Sequence, residues 1–281
     1  MYTNDMGDYL RPRGLEEALQ ALTRPFTVLA GGTDFYPARV GRSITEDILD
    51  IAGIAALRGI SETGAGWRLG ATTSWSELIE APLPPLFDGL KQAAREVGGR
   101  QIQNAGTIAG NICNASPAAD GVPALLVLDA EVELASRAGT RRIPLSAFIT
   151  GVRKTELAPG ELVVALHVPR PLNDARSAFL KLGARRYLVI SIAMASVVVE
   201  VDNGTIVAAR VAVGACSPVA RRLPALERTL IGAMADAHLG ERVEPALLAP
   251  LSPIDDVRGS AGYRSDVTLV LLRRLLSKVS V

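Results

Sequence analysis

The sequence predicts an α+β protein of two domains, and three observations carry that expectation. Short helix-period and strand-period segments alternate through the first part of the chain. A polar, proline-bearing connection, PRPLNDAR at 169–176, then interrupts the pattern. Beyond it lie three strand patterns and then helical ones, so a meander backed by helices is the simplest arrangement. At 281 residues the chain exceeds the usual size of one compact domain, and the division falls at 1–174 and 175–281.

Leu15, Ala18, Leu19 and Leu22 recur at helical spacing, and the run from Phe26 to Ala30 reads as a buried strand ending in a glycine pair. Asp47 to Ile51 and Trp67 to Ala71 read as further strands. A helix is expected after Thr73, because Ser74 stands three residues before Glu77 in the capping-box pattern. Prolines 82, 84 and 85 break the chain ahead of a helical pattern from Leu86 to Val97. From Gly98 to Pro123 the sequence GGRQIQNAGTIAGNICNASPAADGVP follows neither period and is expected as an ordered loop. A short buried helix follows at Ala124 to Ala130, then strands at Glu131 to Ala135, Arg141 to Pro144 and Glu161 to Pro169. In the second domain the strands are Phe179 to Leu182, Ile190 to Val201 and Ile206 to Val213, the last two joined by the hairpin signal Asp202-Asn203-Gly204. Helices are expected at Leu223 to Met234 and Tyr263 to Lys278.

Composition excludes several classes. An apolar fraction of 48% supplies a sizeable core, and 30 cationic against 29 acidic residues give a formal charge of +1, without the field that draws a protein to nucleic acid or an anionic membrane. Two cysteines, Cys113 and Cys216, and two histidines, His167 and His238, scattered far apart without metal-ligand spacing, are not expected to supply the four ligands of a zinc or iron–sulfur site, so any such centre belongs to a partner. No apolar stretch is long enough to span a bilayer, and the opening MYTNDMGDYLRPRG lacks the apolar segment of a secretory leader, so a cytoplasmic protein is expected. Only four lysines, at 91, 154, 181 and 278, stand among 26 arginines.

Two segments carry candidate chemistry. In Ala30-Gly31-Gly32-Thr33-Asp34 the glycines leave main-chain N–H groups open to a phosphate, although an ordinary strand-ending turn reads the same way. It matches neither GxGxxG nor the P-loop. The second, Thr107-Ile108-Ala109-Gly110-Asn111, continues through Asn114 to Asp120, with hydrogen-bonding groups suited to a sugar-like hydroxyl chain. About 75 residues separate the two, which read either as opposite walls of one diphosphate site or as unrelated surface loops.

AGGTD, then QIQNAGTIAGNICNASPAAD, then FLKLGARR resemble the FAD-binding medium subunit of molybdenum hydroxylases, the xanthine dehydrogenase and carbon monoxide dehydrogenase family. The likeness covers nearly the whole chain. It implies a PCMH-type FAD-binding region of two α/β subdomains, followed by a domain with a three-stranded antiparallel sheet and helices. It also implies FAD as cofactor, with Ala30 to Asp34 and Thr107 to Asn111 at the pyrophosphate, Asn114 and Asp120 contacting the cofactor, and Asp120 on its ribityl or ribose hydroxyls. Leu162 would pack on the cofactor, and Lys181 would lie near the flavin, where a cation stabilises anionic reduced flavin; Tyr187 would sit near the isoalloxazine. The implied partners are a small [2Fe-2S] subunit and a large molybdopterin subunit, with NAD, oxygen or a quinone as acceptor.

On that reading the chain has no catalytic side chain and no metal of its own, and passes electrons through FAD. Two alternatives stand beside it: a self-sufficient flavin oxidase of the vanillyl-alcohol-oxidase-like group, and a cofactor-free scaffold. The cysteine count leaves no room for the extra iron–sulfur loop of some relatives. Cys113 reads as a buried structural thiol, His167 as a core or edge histidine and His238 as a helix-end residue.

Overall fold

A computed structural model describes residues 7–279. In the first subdomain β1 (Tyr9–Leu10), β2 (Thr27–Leu29) and β3 (Ile48–Asp50) form a parallel sheet in the order β1-β3-β2. Helix α1 (Leu15–Ala21) sends Ala18 into a small core with Leu49, Ile51, Ile54 and Leu57, and Leu15, Leu19 and Leu22 pack on it, as their spacing requires.

The second subdomain is a five-stranded antiparallel sheet backed by short helices. Its strands are β4 (Ile60–Thr63), β5 (Gly66–Gly70), β6 (Glu131–Ser136), β7 (Gly139–Pro144) and β10 (Leu162–Pro169), in the order β4-β5-β10-β6-β7. The helices are α2 (Trp75–Glu80), α3 (Asp88–Glu96), α4 (Arg100–Ala105), α5 (Ile108–Asn114), α6 (Gly121–Val127) and α7 (Leu145–Phe148). A hairpin of β8 (Ile149–Gly151) and β9 (Lys154–Thr155) stands beside the sheet. Ser74 caps α2 as its spacing predicts: Oγ accepts the Glu77 N–H at 3.2 Å while the Glu77 carboxylate accepts the Ser74 N–H at 2.8 Å.

In the second domain β11 (Asp174–Leu182), β12 (Ala193–Asp202), β13 (Thr205–Gly214) and β14 (Arg221–Arg222) form one antiparallel sheet, so the expected three strands gain a two-residue fourth at the edge. Asn203 and Gly204 both take positive φ, 47° and 77°, as a two-residue type I′ hairpin demands. Period-two alternation sends Ala195, Val197 and Val199 of β12 toward α8 (Pro224–Leu230) and α9 (Ala261–Val279). Met194 and Val198 face the other way, into the core that α3 and α6 share with the five-stranded sheet.

The expectation of a loop from Gly98 to Pro123 is overturned, because α4, α5 and the start of α6 occupy most of it. Helices of six or seven residues complete barely two turns, too few for a 3.6-residue period to show among so many small side chains. The helix expected to reach Met234 stops at Leu230, and the strand expected from Ile190 starts at Ala193.

Candidate functional site

Past Leu29 the chain leaves the sheet into Ala30-Gly31-Gly32-Thr33-Asp34, and the two glycines serve different ends. A Cβ on Gly31 would overlap the Ala105 carbonyl, so its bareness lets the first segment lie directly on the end of α4. Gly32 has φ +70°, and a Cβ there would stand 2.7 Å from the Tyr36 ring. Among the described residues the N–H groups of Gly31, Gly32, Thr33 and Asp34 donate to no protein acceptor, while Gly32 C=O accepts from Tyr36 N–H at 3.1 Å. Four successive free donors around a left-handed glycine form a concave anion cradle.

The second segment offers side chains in place of amides. Thr107 caps α5, its Oγ1 accepting the Gly110 N–H at 3.1 Å. The Ile108 N–H donates to Thr73 O at 3.0 Å and the Ala109 N–H to Ala71 O at 3.3 Å, so the first turn of α5 is spent on protein partners. The Asn111 amide keeps its N–H donors uncommitted among the described residues, whereas its Oδ1 is buried without a partner.

Both segments line one cleft of about 680 Å³, within the range of cofactor sites. Of the expected residues, Ala30, Gly31, Gly32, Thr33, Asp34, Thr107, Ala109, Gly110, Asn111, Asn114, Asp120 and Leu162 line it. Ile108 does not: its side chain is fully buried in the core. Lys181 is also absent from the lining. Its ammonium donates to Asp120 Oδ2 at 2.6 Å, to Glu96 O at 3.3 Å and to Val189 O at 3.2 Å, with side-chain exposures of 5% for Lys181 and 8% for Asp120. The other Asp120 oxygen accepts from the Ser191 hydroxyl at 2.5 Å. Burial raises the Asp120 carboxyl against the pull of Lys181 and Ser191. Both oxygens therefore already have donors, and the pair joins the N-cap of α6 to β11 and the loop after it.

Cys113 was expected buried, yet it is exposed along the cleft wall. Desolvation by the surrounding cleft walls pushes its thiol up to about 12, so it stays protonated near neutral pH. Tyr187 is 64% exposed and outside the lining, under the Arg186 guanidinium, while its neighbours Val189 and Ile190 face the cleft. His167 is half-buried at the sheet, paired with Glu133. His238 sits exposed at the N-cap of a 3-10 turn, 2.9 Å from Glu241, whose carboxylate raises its pKa. The sequence reading missed Arg153, which reaches the cleft from the β8–β9 hairpin and whose isolated position carries no motif. A second groove, of about 820 Å³, lies at the opposite end of β10 between Trp67, Arg142 and Arg222 and shares no lining residue with the first.

A parallel subdomain, a five-stranded sheet with short helices, and a second domain whose loop after β11 covers one end of a glycine-cradled cleft define a two-domain protein built around a dinucleotide-sized site. Comparison with known proteins gives it a family. Residues 4–171 match the FAD binding domain in molybdopterin dehydrogenase, and residues 178–279 match the CO dehydrogenase flavoprotein C-terminal domain. The chain belongs to this family of FAD-binding molybdopterin dehydrogenase subunits. It is 30% identical over 280 residues to the xanthine dehydrogenase FAD-binding subunit of Escherichia coli O157:H7, covering 98% of this chain and 96% of that protein. The carbon monoxide dehydrogenase medium chain of Afipia carboxidovorans is 30% identical over 277 residues, 96% of each chain. The structure of reconstituted CO dehydrogenase from Oligotropha carboxidovorans superposes with a TM-score of 0.89 at 28% identity, over 98% of this chain and 97% of that one.

The residues present fit FAD. Its diphosphate needs hydrogen-bond donors, which the free amides at 31–34 supply. The Asn111 N–H groups and the hydroxyls of Thr33 and Thr107 add polar contacts along the same walls.

Proposed function

We propose that this chain is the FAD-carrying electron-transfer subunit of a molybdenum hydroxylase, with domains meeting near residues 174 and 175. The observation that carries the reading is the contact of Gly31 with the Ala105 carbonyl, which makes two segments distant in sequence adjoining walls of one cleft. Bound FAD supplies the redox chemistry, collecting electrons and releasing them to an external acceptor. The chain's residues bind and orient it: the amides at 31–34 receive the diphosphate, Thr107, Asn111 and Asn114 line the facing wall, Leu162 packs on the cofactor, and Val189 and Ile190 cover the end nearest the second domain.

The electrons would come from a small [2Fe-2S] subunit fed by a large molybdopterin subunit, and the organic substrate would bind that large subunit. The relatives, named as medium chains and FAD subunits, support this assembly over a self-sufficient oxidase or a cofactor-free scaffold. Purified alone, the chain should be yellow and release FAD on denaturation. A colourless protein that takes up no added FAD would favour the scaffold, and flavin reduction by a small organic substrate without partner subunits would favour the oxidase.

A further inference from the structure

We infer that Arg153 is the counter-charge of the dinucleotide's phosphates, a specificity contact that lets this cleft tell FAD from uncharged flavin; this rests on the reading of the cleft as the FAD site. The charges along the lining lead there. Its carboxylates are Asp34, Glu96 and Asp120, and its cations are Arg39 and Arg153. Asp120 is neutralised by Lys181, and Arg39 by Glu46 at 2.5 Å. Asp34 and Glu96 have no ion-pair partner among the described residues, and neither has Arg153. A dianionic diphosphate entering such a cleft meets two unpaired carboxylates and a single unpaired cation. Without Arg153 it would face only like charge and neutral amides.

The position of Arg153 is built. It sits at the tip of the β8–β9 hairpin with φ +58°, opposite Ala115, the left-handed C-cap of α5 with φ +45°. The Arg153 N–H donates to Ala115 O at 2.9 Å, and Nη1 donates to Asn114 O at 3.1 Å and also to Asn114 Oδ1. Those bonds fix the guanidinium by one nitrogen at the end of α5, one helical turn from Gly110, or about 5–6 Å along the axis. Nε and Nη2 find no acceptor among the described residues and remain for the cleft that the side chain lines. A planar fork with one edge anchored and one edge free suits phosphate oxygens.

The simpler alternative is that Arg153 only caps α5, since cations favour helix C-termini. Flavin-free protein titrated with FAD and with riboflavin, at low and high salt, separates the two. Arg153→Gln should raise the FAD dissociation constant about 10- to 100-fold at low salt. Most of that difference should disappear at high salt, because an exposed pair is screened. Riboflavin, which has no phosphate, should bind both proteins within a factor of about two. Equal weakening of FAD and riboflavin would reduce Arg153 to a cap, and an unchanged FAD constant would remove it from the site. If Arg153→Gln fails to fold, Arg153→Lys keeps the charge without the fork. It should retain salt-dependent FAD binding, and loss of that dependence would overturn the inference. Wild-type protein that binds no flavin would instead defeat the reading of the cleft itself.

Discussion

Gly32→Val should eliminate FAD retention, measured as the flavin-to-protein ratio after gel filtration. A branched side chain at φ +70° is strained by about 1–3 kcal/mol and its Cβ would strike the Tyr36 ring, so the cradle must change shape. An unchanged ratio would remove the cradle from the site. The importance of Gly31 and Gly32 was legible in the sequence, but only part of the reason. Gly32 shapes a left-handed turn, whereas Gly31 is bare in order to admit the Ala105 carbonyl, a long-range contact that local sequence cannot announce. Lys181 shows the same limit. Its rarity marked it out, yet which carboxylate a buried lysine meets is decided by the packing of two domains, and here it meets Asp120 instead of open cleft.

At the scale of elements, strands such as β5 and β10 and the capped helix α2 followed from local signals, because an apolar run bounded by turn residues and a serine three positions before a glutamate announce themselves without tertiary contacts. Helices α4 and α5 did not. They are held by tertiary bonds such as Trp75 N–H to Gly106 O at 3.2 Å and Ile108 N–H to Thr73 O at 3.0 Å, not by an amphipathic stripe. The start of α9 carries a pH prediction. The Arg258 backbone N–H, aided by the Arg264 and Arg258 guanidinium groups, lowers the Asp256 carboxyl from 3.8 to about 2. A carboxyl depressed on folding stabilises the native state above its unfolded value, and that contribution is lost as pH falls through the folded one. Acid unfolding of the second domain should therefore steepen between pH 3.8 and about 2. Asp256→Asn should flatten that window in a denaturant series run at several pH values, and an identical profile would show that Asp256 contributes nothing there.

For the whole molecule the Asp120–Lys181 pair is a polar tie between the cleft and the second domain. The sequence alone suggests that Asp120→Ala costs one hydroxyl contact to the cofactor. The structure makes it a stability change, because Lys181 would be left charged and buried with only carbonyl partners. Removing one member of a buried pair costs about 3–5 kcal/mol, to be read by urea unfolding of flavin-free protein. A loss under about 1 kcal/mol, together with weakened FAD, would return Asp120 to the cofactor.

The second domain's sheet has no solvent-facing side over β12: Ala195, Val197 and Val199 belong to its own helices, while Met194 and Val198 belong to the helices of the first domain. The chain thus has a seam where two halves were each left unfinished, and neither can be lifted out as a portable module. Anyone transplanting the second half into another assembly would have to carry α3 and α6 with it, because the floor of one half is the ceiling of the other.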